Sequence, residues 1–168
     1  AALSLIGLAL CAAPSLWAAA PAPTSSPTLK QENVSLALAN ELINATMAAC
    51  HADGRSAVAV VVDRGGNLIA VQRDDNVGPH NTEAAQRKAF TALSTKTPTR
   101  LLAACSPANP ACQTPNTVSA LLLIGGVVPL RVGIVVIGAI GVGGAGGAAQ
   151  DEACALKAIA QVLPQVSL

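Results

Sequence analysis

Residues 57–73, AVAVVVDRGGNLIAVQR, contain two apolar runs separated by a short turn. The runs 57–63 and 67–73 are rich in β-branched residues, which favour strands. Arg64-Gly65-Gly66 lies between them, and its glycines readily adopt the positive backbone φ angles that a tight hairpin turn needs. The stretch therefore predicts an antiparallel β-hairpin.

Helical patterns lie on both sides of this hairpin. Apolar residues recur at steps of three and four over about 35–51, and an alanine-rich helix is predicted over about 81–95. A short helix is expected over 99–105, and a last one over about 150–163, where two acidic residues favour the helix start.

Three further apolar runs, at 121–124, 127–132 and 134–142, are separated by glycines and predict strands. The resulting order contains an adjacent-strand hairpin and no repeated βαβ unit. It therefore predicts an α+β fold in which helices pack on an antiparallel sheet.

The composition argues against a nucleic-acid partner. The formal net charge is +1, and Trp17 and Phe90 are the only aromatic residues, so neither a positive field nor a stacking surface is available. Hydrophobic residues make up 52% of the chain and charged residues 11%. Alanine and glycine richness with an apolar leader explains this in part, and coverage of the surface by other copies of the chain is the second explanation.

The first residues are typical of an export signal. Residues 1–20 form an apolar stretch that ends in small residues, which predicts a signal peptide. Pro14 interrupts the run and no basic flank follows, so we expect no membrane span. Residues 21–32 are predicted to be a linker and 33–168 the folded domain, with a periplasmic or secreted location.

Four cysteines lie beyond the predicted signal peptide, at positions 50, 105, 112 and 154. An even number in an exported chain favours disulfides over a metal site, and three pairings are possible. We favour Cys105–Cys112, which flank a loop, and Cys50–Cys154, which fall on predicted helices. Four reduced thiols are the alternative.

His80 is the most informative polar side chain. It lies in Gly78-Pro79-His80-Asn81, a proline-containing loop that enters a helix, so we expect its ring to be displayed at the surface. A neutral imidazole in such a place can bind haem iron, although a loop histidine can also be merely solvated.

Residues 141–146 match the G-x-G-x-x-G pattern. A dinucleotide site would also need an acidic residue on a later strand, and Val166 stands near that position. A glycine turn, or an anion contact at the following helix, is therefore expected instead.

Short segments of the chain resemble, in the same order, the GlcG/HbpS-like haem-binding family. They are 58–63 (VAVVVD), 66–68 (GNL), 73–75 (RDD), 78–80 (GPH), 88–92 (KAFTA), 97–99 (TPT), 125–127 (GGV), 138–144 (GAIGVGG) and 151–155 (DEACA). The resemblance implies a profilin-like fold, with an antiparallel sheet of about five strands between helices in α/β/α layers, and it implies homo-oligomers. Residues 127–137 are more apolar than the hairpin turn usual in the family.

Because members of that family bind or degrade haem, the leading hypothesis is a homo-oligomeric haem-binding protein. His80 is then the predicted iron ligand, with Arg87, Lys88 and Arg73 near the haem propionates. A binding protein is favoured over an enzyme. The alternatives are an enzyme acting on a small organic acid, with Lys88 and Asp63 at its site, and a structural subunit without a ligand.

Overall fold

A computed structural model describes residues 27–104 and 117–163 of the chain. Its elements follow the predicted order of helices and strands: α1 Leu36–Ala52, β1 Val58–Asp63, β2 Leu68–Arg73, α2 His80–Thr95, α3 Thr99–Ala103, β3 Val127–Val132, β4 Val135–Gly143 and α4 Ala148–Val162. The α+β prediction is confirmed.

The four strands form one antiparallel sheet in the order β2-β1-β4-β3. The predicted hairpin is β1 and β2, in which Val60 pairs with Val71. Asp63 closes its turn, because the carboxylate accepts hydrogen bonds of 2.8 Å from the backbone amides of Gly65 and Asn67. Side chains of this kind stabilise a turn by pairing with its own amides.

The run 121–124 is not a strand, so the described residues contain four strands and not about five. The amide of Leu122 donates to the Thr91 hydroxyl at 2.8 Å, and the carbonyl of Leu121 accepts from Arg87 at 3.2 Å. Because side chains of α2 bind these backbone groups, the segment follows the helix and does not extend the sheet.

Strand β1 is buried on both faces, which explains why it is an unbroken apolar run. Ala59 and Val61 face the core formed with α1 and α4, whereas Val58, Val60 and Val62 face the core formed with α2. The sheet therefore lies between two helical layers, as the α/β/α prediction requires.

Gly141 sets how closely α2 approaches the sheet. A Cβ atom at this position would lie 2.2 Å from the carbonyl oxygen of Ala85 and 3.1 Å from the Cβ of Ala89. Only glycine leaves room for the backbone of α2 here, and this contact fixes where α2 and its first residue lie.

A disulfide between Cys50 and Cys154 joins α1 to α4. Both cysteines are fully buried, so the bond lies inside the core of that layer. This predicted pair is confirmed. The predicted Cys105–Cys112 pair lies outside the described residues.

Candidate functional site

His80 is the first residue of α2 and is exposed. Its ring lies over the backbone of Gly78, where a Cβ atom would come within 2.9 Å of the ring carbon Cε1. The ring makes no hydrogen bond with the described residues. An imidazole held by its own loop, with its nitrogens unpaired, can act as a ligand to a metal centre.

Arg87 lies two helical turns after His80 on the same face of α2, about 10 Å further along the helix axis. Its Nη2 atom donates to the carbonyls of Ser119 at 2.6 Å and Leu121 at 3.2 Å, and its Nη1 atom lies 3.8 Å from Oε1 of Glu83. The guanidinium is thus held in place and partly exposed, so it can still meet an anion.

Arg73 ends β2 and is exposed. Its guanidinium donates to the carbonyl of Val77, in the loop that leads to Pro79 and His80. The side chain therefore links the end of the edge strand to the segment that presents the imidazole.

Lys88 is not on the surface that carries His80. It is 3% exposed, and its ammonium nitrogen lies 3.0 Å from Oδ2 of Asp151 and 3.3 Å from the carbonyl oxygen of Gly125. Consecutive helical residues point about 100° apart, so Arg87 faces outward while Lys88 faces the interior. The position of each residue around the helix is the sequence signal that could have distinguished the exposed Arg87 from the buried Lys88.

The structure does not bring Lys88 and Asp63 together. Lys88 donates to the carbonyl of Gly125, two residues before β3, whereas Asp63 pairs with Gly138 near the other end of β4. Gly126 accepts from Val142, four residues from Gly138, which separates the two places by about 14 Å along the strand. The pair proposed for an organic-acid enzyme thus has no common site.

The carboxylate of Asp63 is hydrogen-bonded within the hairpin turn. Partial burial raises the pKa of its carboxyl, but hydrogen bonds from the side chain and amide of Asn67, the amide of Gly65 and the side chain of Asn33 outweigh this effect and hold the pKa below its usual 3.8. The carboxylate is committed to stabilising the turn.

Sequence reasoning missed a buried polar cluster at the start of α4. Asp151 accepts from Lys88 and, at 2.9 Å, from the amide of Ala145, while Oε1 of Glu152 lies 3.2 Å from Nε of Arg100. An amide of the glycine-rich turn before α4 therefore donates to the carboxylate of Asp151 in the same chain. Asp151 and Glu152 were visible only as helix-start residues, because their partners come from distant elements.

A buried oxygen of Glu152, Oε2, has no hydrogen-bond partner among the described residues, and the same holds for Oγ1 of Thr99. Within the described ranges no three histidine, cysteine or acidic side chains lie close enough to hold a metal ion. No described helix is long and apolar enough to cross a membrane.

The sequence profile of the family described as haem degrading protein HbpS-like matches residues 34–160. The chain belongs to the HbpS-like family. The match spans the described fold from the residue before the N-cap of α1 to near the end of α4. A comparison with curated proteins gave no significant match.

Three solved structures are similar to this chain in both sequence and fold. The crystal structure of HbpS is 31% identical, covers 83% of this chain and 97% of its own, and superposes with a TM-score of 0.74. The Klebsiella pneumoniae protein ORFY is 27% identical over 85% of this chain and 99% of its own, with a TM-score of 0.74. The PduOC–haem complex is 26% identical over 76% of this chain and 94% of its own, with a TM-score of 0.68.

Proposed function

We propose that this HbpS-like chain is an exported homo-oligomer that binds and handles haem, with His80 as the iron ligand. The observation that carries the proposal is the exposed imidazole at the start of α2, which has no hydrogen bond with the described residues, in a family described as haem degrading. A related structure, the PduOC–haem complex, adds support at the level of the fold. When bound, haem supplies an iron centre whose reactivity depends on its protein ligand.

The arginines near His80 suit the propionates of haem. Arg87 follows on the same helix face at about 10 Å, and its guanidinium retains N–H groups that face solvent. Arg73 approaches from the edge strand through Val77. Arginine pairs with carboxylates through two parallel hydrogen bonds, which would orient the bound group.

Lys88 completes the predicted set of cations, but it is less available than the two arginines. Its ammonium would have to leave Asp151 to reach a propionate, and the buried carboxylate of Asp151 would then lose its ion-pair partner. We therefore assign the propionate contacts to Arg87 and Arg73 first.

The apolar faces of haem need apolar contacts near His80. On the side of the sheet that carries α2, Val71 is 42% exposed and lies two residues before Arg73 on the edge strand. This side chain can contact the edge of an apolar ring. We propose that a second copy of the chain completes the enclosure, and light scattering should then give a mass several times that of one chain. The mass of a monomer at micromolar concentration would contradict the proposed homo-oligomer.

Export is supported by two features. Residues 1–20 match the pattern of a signal peptide, and the Cys50–Cys154 disulfide is the kind of bond that persists in oxidising compartments. The proposed location is therefore the periplasm or the extracellular space.

The ligand assignment is tested by titrating hemin into His80→Ala and into His51→Gln, and by recording the Soret band. His51 is the matched control, because it is the other histidine and its Nε2 atom is held 2.9 Å from both carboxylate oxygens of Asp74. We expect the Soret shift to be lost in His80→Ala and kept in His51→Gln. An unchanged spectrum in His80→Ala would overturn the assignment of His80.

A further inference from the structure

A cleft of about 550 Å³ lies at the C-terminal end of α2, between the turns of the two hairpins. It is lined by Arg64 from the β1–β2 turn, by Phe90, Leu93 and Lys96 from the end of α2, and by residues from the start of β4. His80 is at the other end of the same helix, about 24 Å away along its axis. The cleft therefore shares no residue with the proposed haem site.

Among the described residues, the charged side chains that line this cleft are positive. They are Arg64 and Lys96, and no acidic residue of the described ranges is in the lining. Arg64 is fixed at the edge of the cleft because its Nη1 atom donates to the carbonyl of Val136 at 2.9 Å. The ammonium of Lys96 makes no ion pair with the described residues. Two cations that line the same cleft create a positive potential, which attracts an anion.

Lys96 is held in an unusual backbone conformation. It caps α2 with a φ of 54°, in the left-handed region where helices most often have glycine. Its amide donates to the carbonyl of Leu93 at 3.3 Å, and its own carbonyl accepts from Arg131 at 2.7 Å. Glycine would adopt this conformation with less strain than lysine, and Lys96 is one of the residues that line the cleft.

The rest of the lining is apolar. Phe90, which is the only phenylalanine of the chain, and Leu93 line the cleft from α2, and Val136 lines it from β4 and shares a buried cluster with Leu93. Ile134 at the hairpin turn is 93% exposed beside them. An apolar body placed in the cleft would remove this surface from water, which is favourable.

We infer that this cleft binds an amphipathic monocarboxylate, with its carboxylate between Arg64 and Lys96 and its apolar body against Phe90 and Leu93. This site is additional to the proposed haem site. A small anion is favoured over a second copy of the chain because both cations line one concave surface together with apolar side chains.

The inference is tested on the full chain by calorimetric titration with decanoate, and with decanol as the uncharged ligand of equal length. We expect decanoate to bind and decanol to bind about tenfold or more weakly. Arg64→Gln should weaken decanoate binding about tenfold, while Lys157→Gln, a control on the exposed face of α4, should leave it unchanged.

Lys96→Gly distinguishes a loss of decanoate binding from a loss of folding. Glycine suits the left-handed backbone, so this variant should unfold at a higher denaturant concentration than the native chain and yet bind decanoate about tenfold more weakly. Equal binding of decanol, or unchanged binding in both Arg64→Gln and Lys96→Gly, would overturn the inference.

Two further outcomes separate this cleft from the haem site and from an interface. If hemin displaces decanoate, the cleft is not an independent site and the inference fails. If decanoate does not bind the native protein, and Ile134→Asp converts an oligomer to a monomer, the cleft is an interface between copies and the inference also fails. Loss of hemin binding in His80→Ala with decanoate binding intact supports two separate sites.

Discussion

Lys88 on α2 and Asp151 on α4 form a buried ion pair in which Nζ lies 3.0 Å from Oδ2. The two helices lie on opposite faces of the sheet, so this pair connects the two helical layers past the start of β3. Asp151 also accepts from Ala145, which ties the glycine-rich turn to the same carboxylate. The pair is therefore part of the architecture that positions α2, and with it His80.

Breaking this pair should strongly destabilise the fold. Lys88→Met leaves a buried carboxylate and Asp151→Asn leaves a buried ammonium, so each should lower the free energy of unfolding by about 3–5 kcal/mol. The double variant should lose much less than the sum of the two, because neither charge is then left alone. Urea unfolding of the four proteins measures the coupling. Additive losses would show that the two side chains do not interact.

The Cys50–Cys154 disulfide should contribute a large share of the stability. Its cysteines are 104 residues apart in sequence, and a bond that closes so long a loop is expected to contribute about 4 kcal/mol by restricting the unfolded chain. The variant with Cys50→Ala and Cys154→Ala should therefore unfold at much lower urea concentration. Peptide mapping without reduction should recover the linked pair, and two alkylatable thiols at these positions in the native protein would contradict the structure.

Gly141→Ala should force α2 away from the sheet. The added Cβ would meet the backbone oxygen of Ala85 at 2.2 Å, and overpacking of this kind costs about 1–3 kcal/mol. Gly133→Asn is the control, because Gly133 has a positive φ, which asparagine tolerates, and no atom of the described residues lies within 4 Å of a Cβ there. Thermal unfolding should separate the two variants. Equal melting temperatures would show that α2 does not press on Gly141.

The pH dependence of stability should carry the signature of Asp63. Because the pKa of its carboxyl is lowered below 3.8 in the folded chain, the ionised form stabilises the hairpin above about pH 4, and this contribution is lost as the pH falls through the folded-state pKa. Asp63→Asn keeps an oxygen acceptor without the charge. The native chain should be more stable than this variant at pH 7, and the difference should close below about pH 4. A difference that is constant from pH 7 to pH 3 would contradict the assignment.

The sequence predicted the elements whose signals are local. The hairpin at Arg64-Gly65-Gly66 follows from turn chemistry and apolar runs, and the structure has it at the same residues. The run 121–124 failed as a strand because its hydrogen bonds go to Thr91 and Arg87, which are about 30 residues earlier in the chain. No local pattern carries that information.

The same limit applies to the candidate site. The exposure of His80 followed from its proline-containing loop, and the structure has the ring exposed. Lys88 and Arg87 are adjacent in sequence, yet Lys88 is buried and its partner Asp151 lies 63 residues away on another helix. A buried charge is identified by its partner, and partners between distant elements become visible only in the folded chain.

Binding of haem at a defined site of the native chain is tested by titrating the purified protein with hemin and recording the Soret absorbance. We expect a shifted Soret band whose intensity saturates at a fixed ratio of haem to chain. A spectrum that stays that of free hemin, or that rises without saturation, would contradict it.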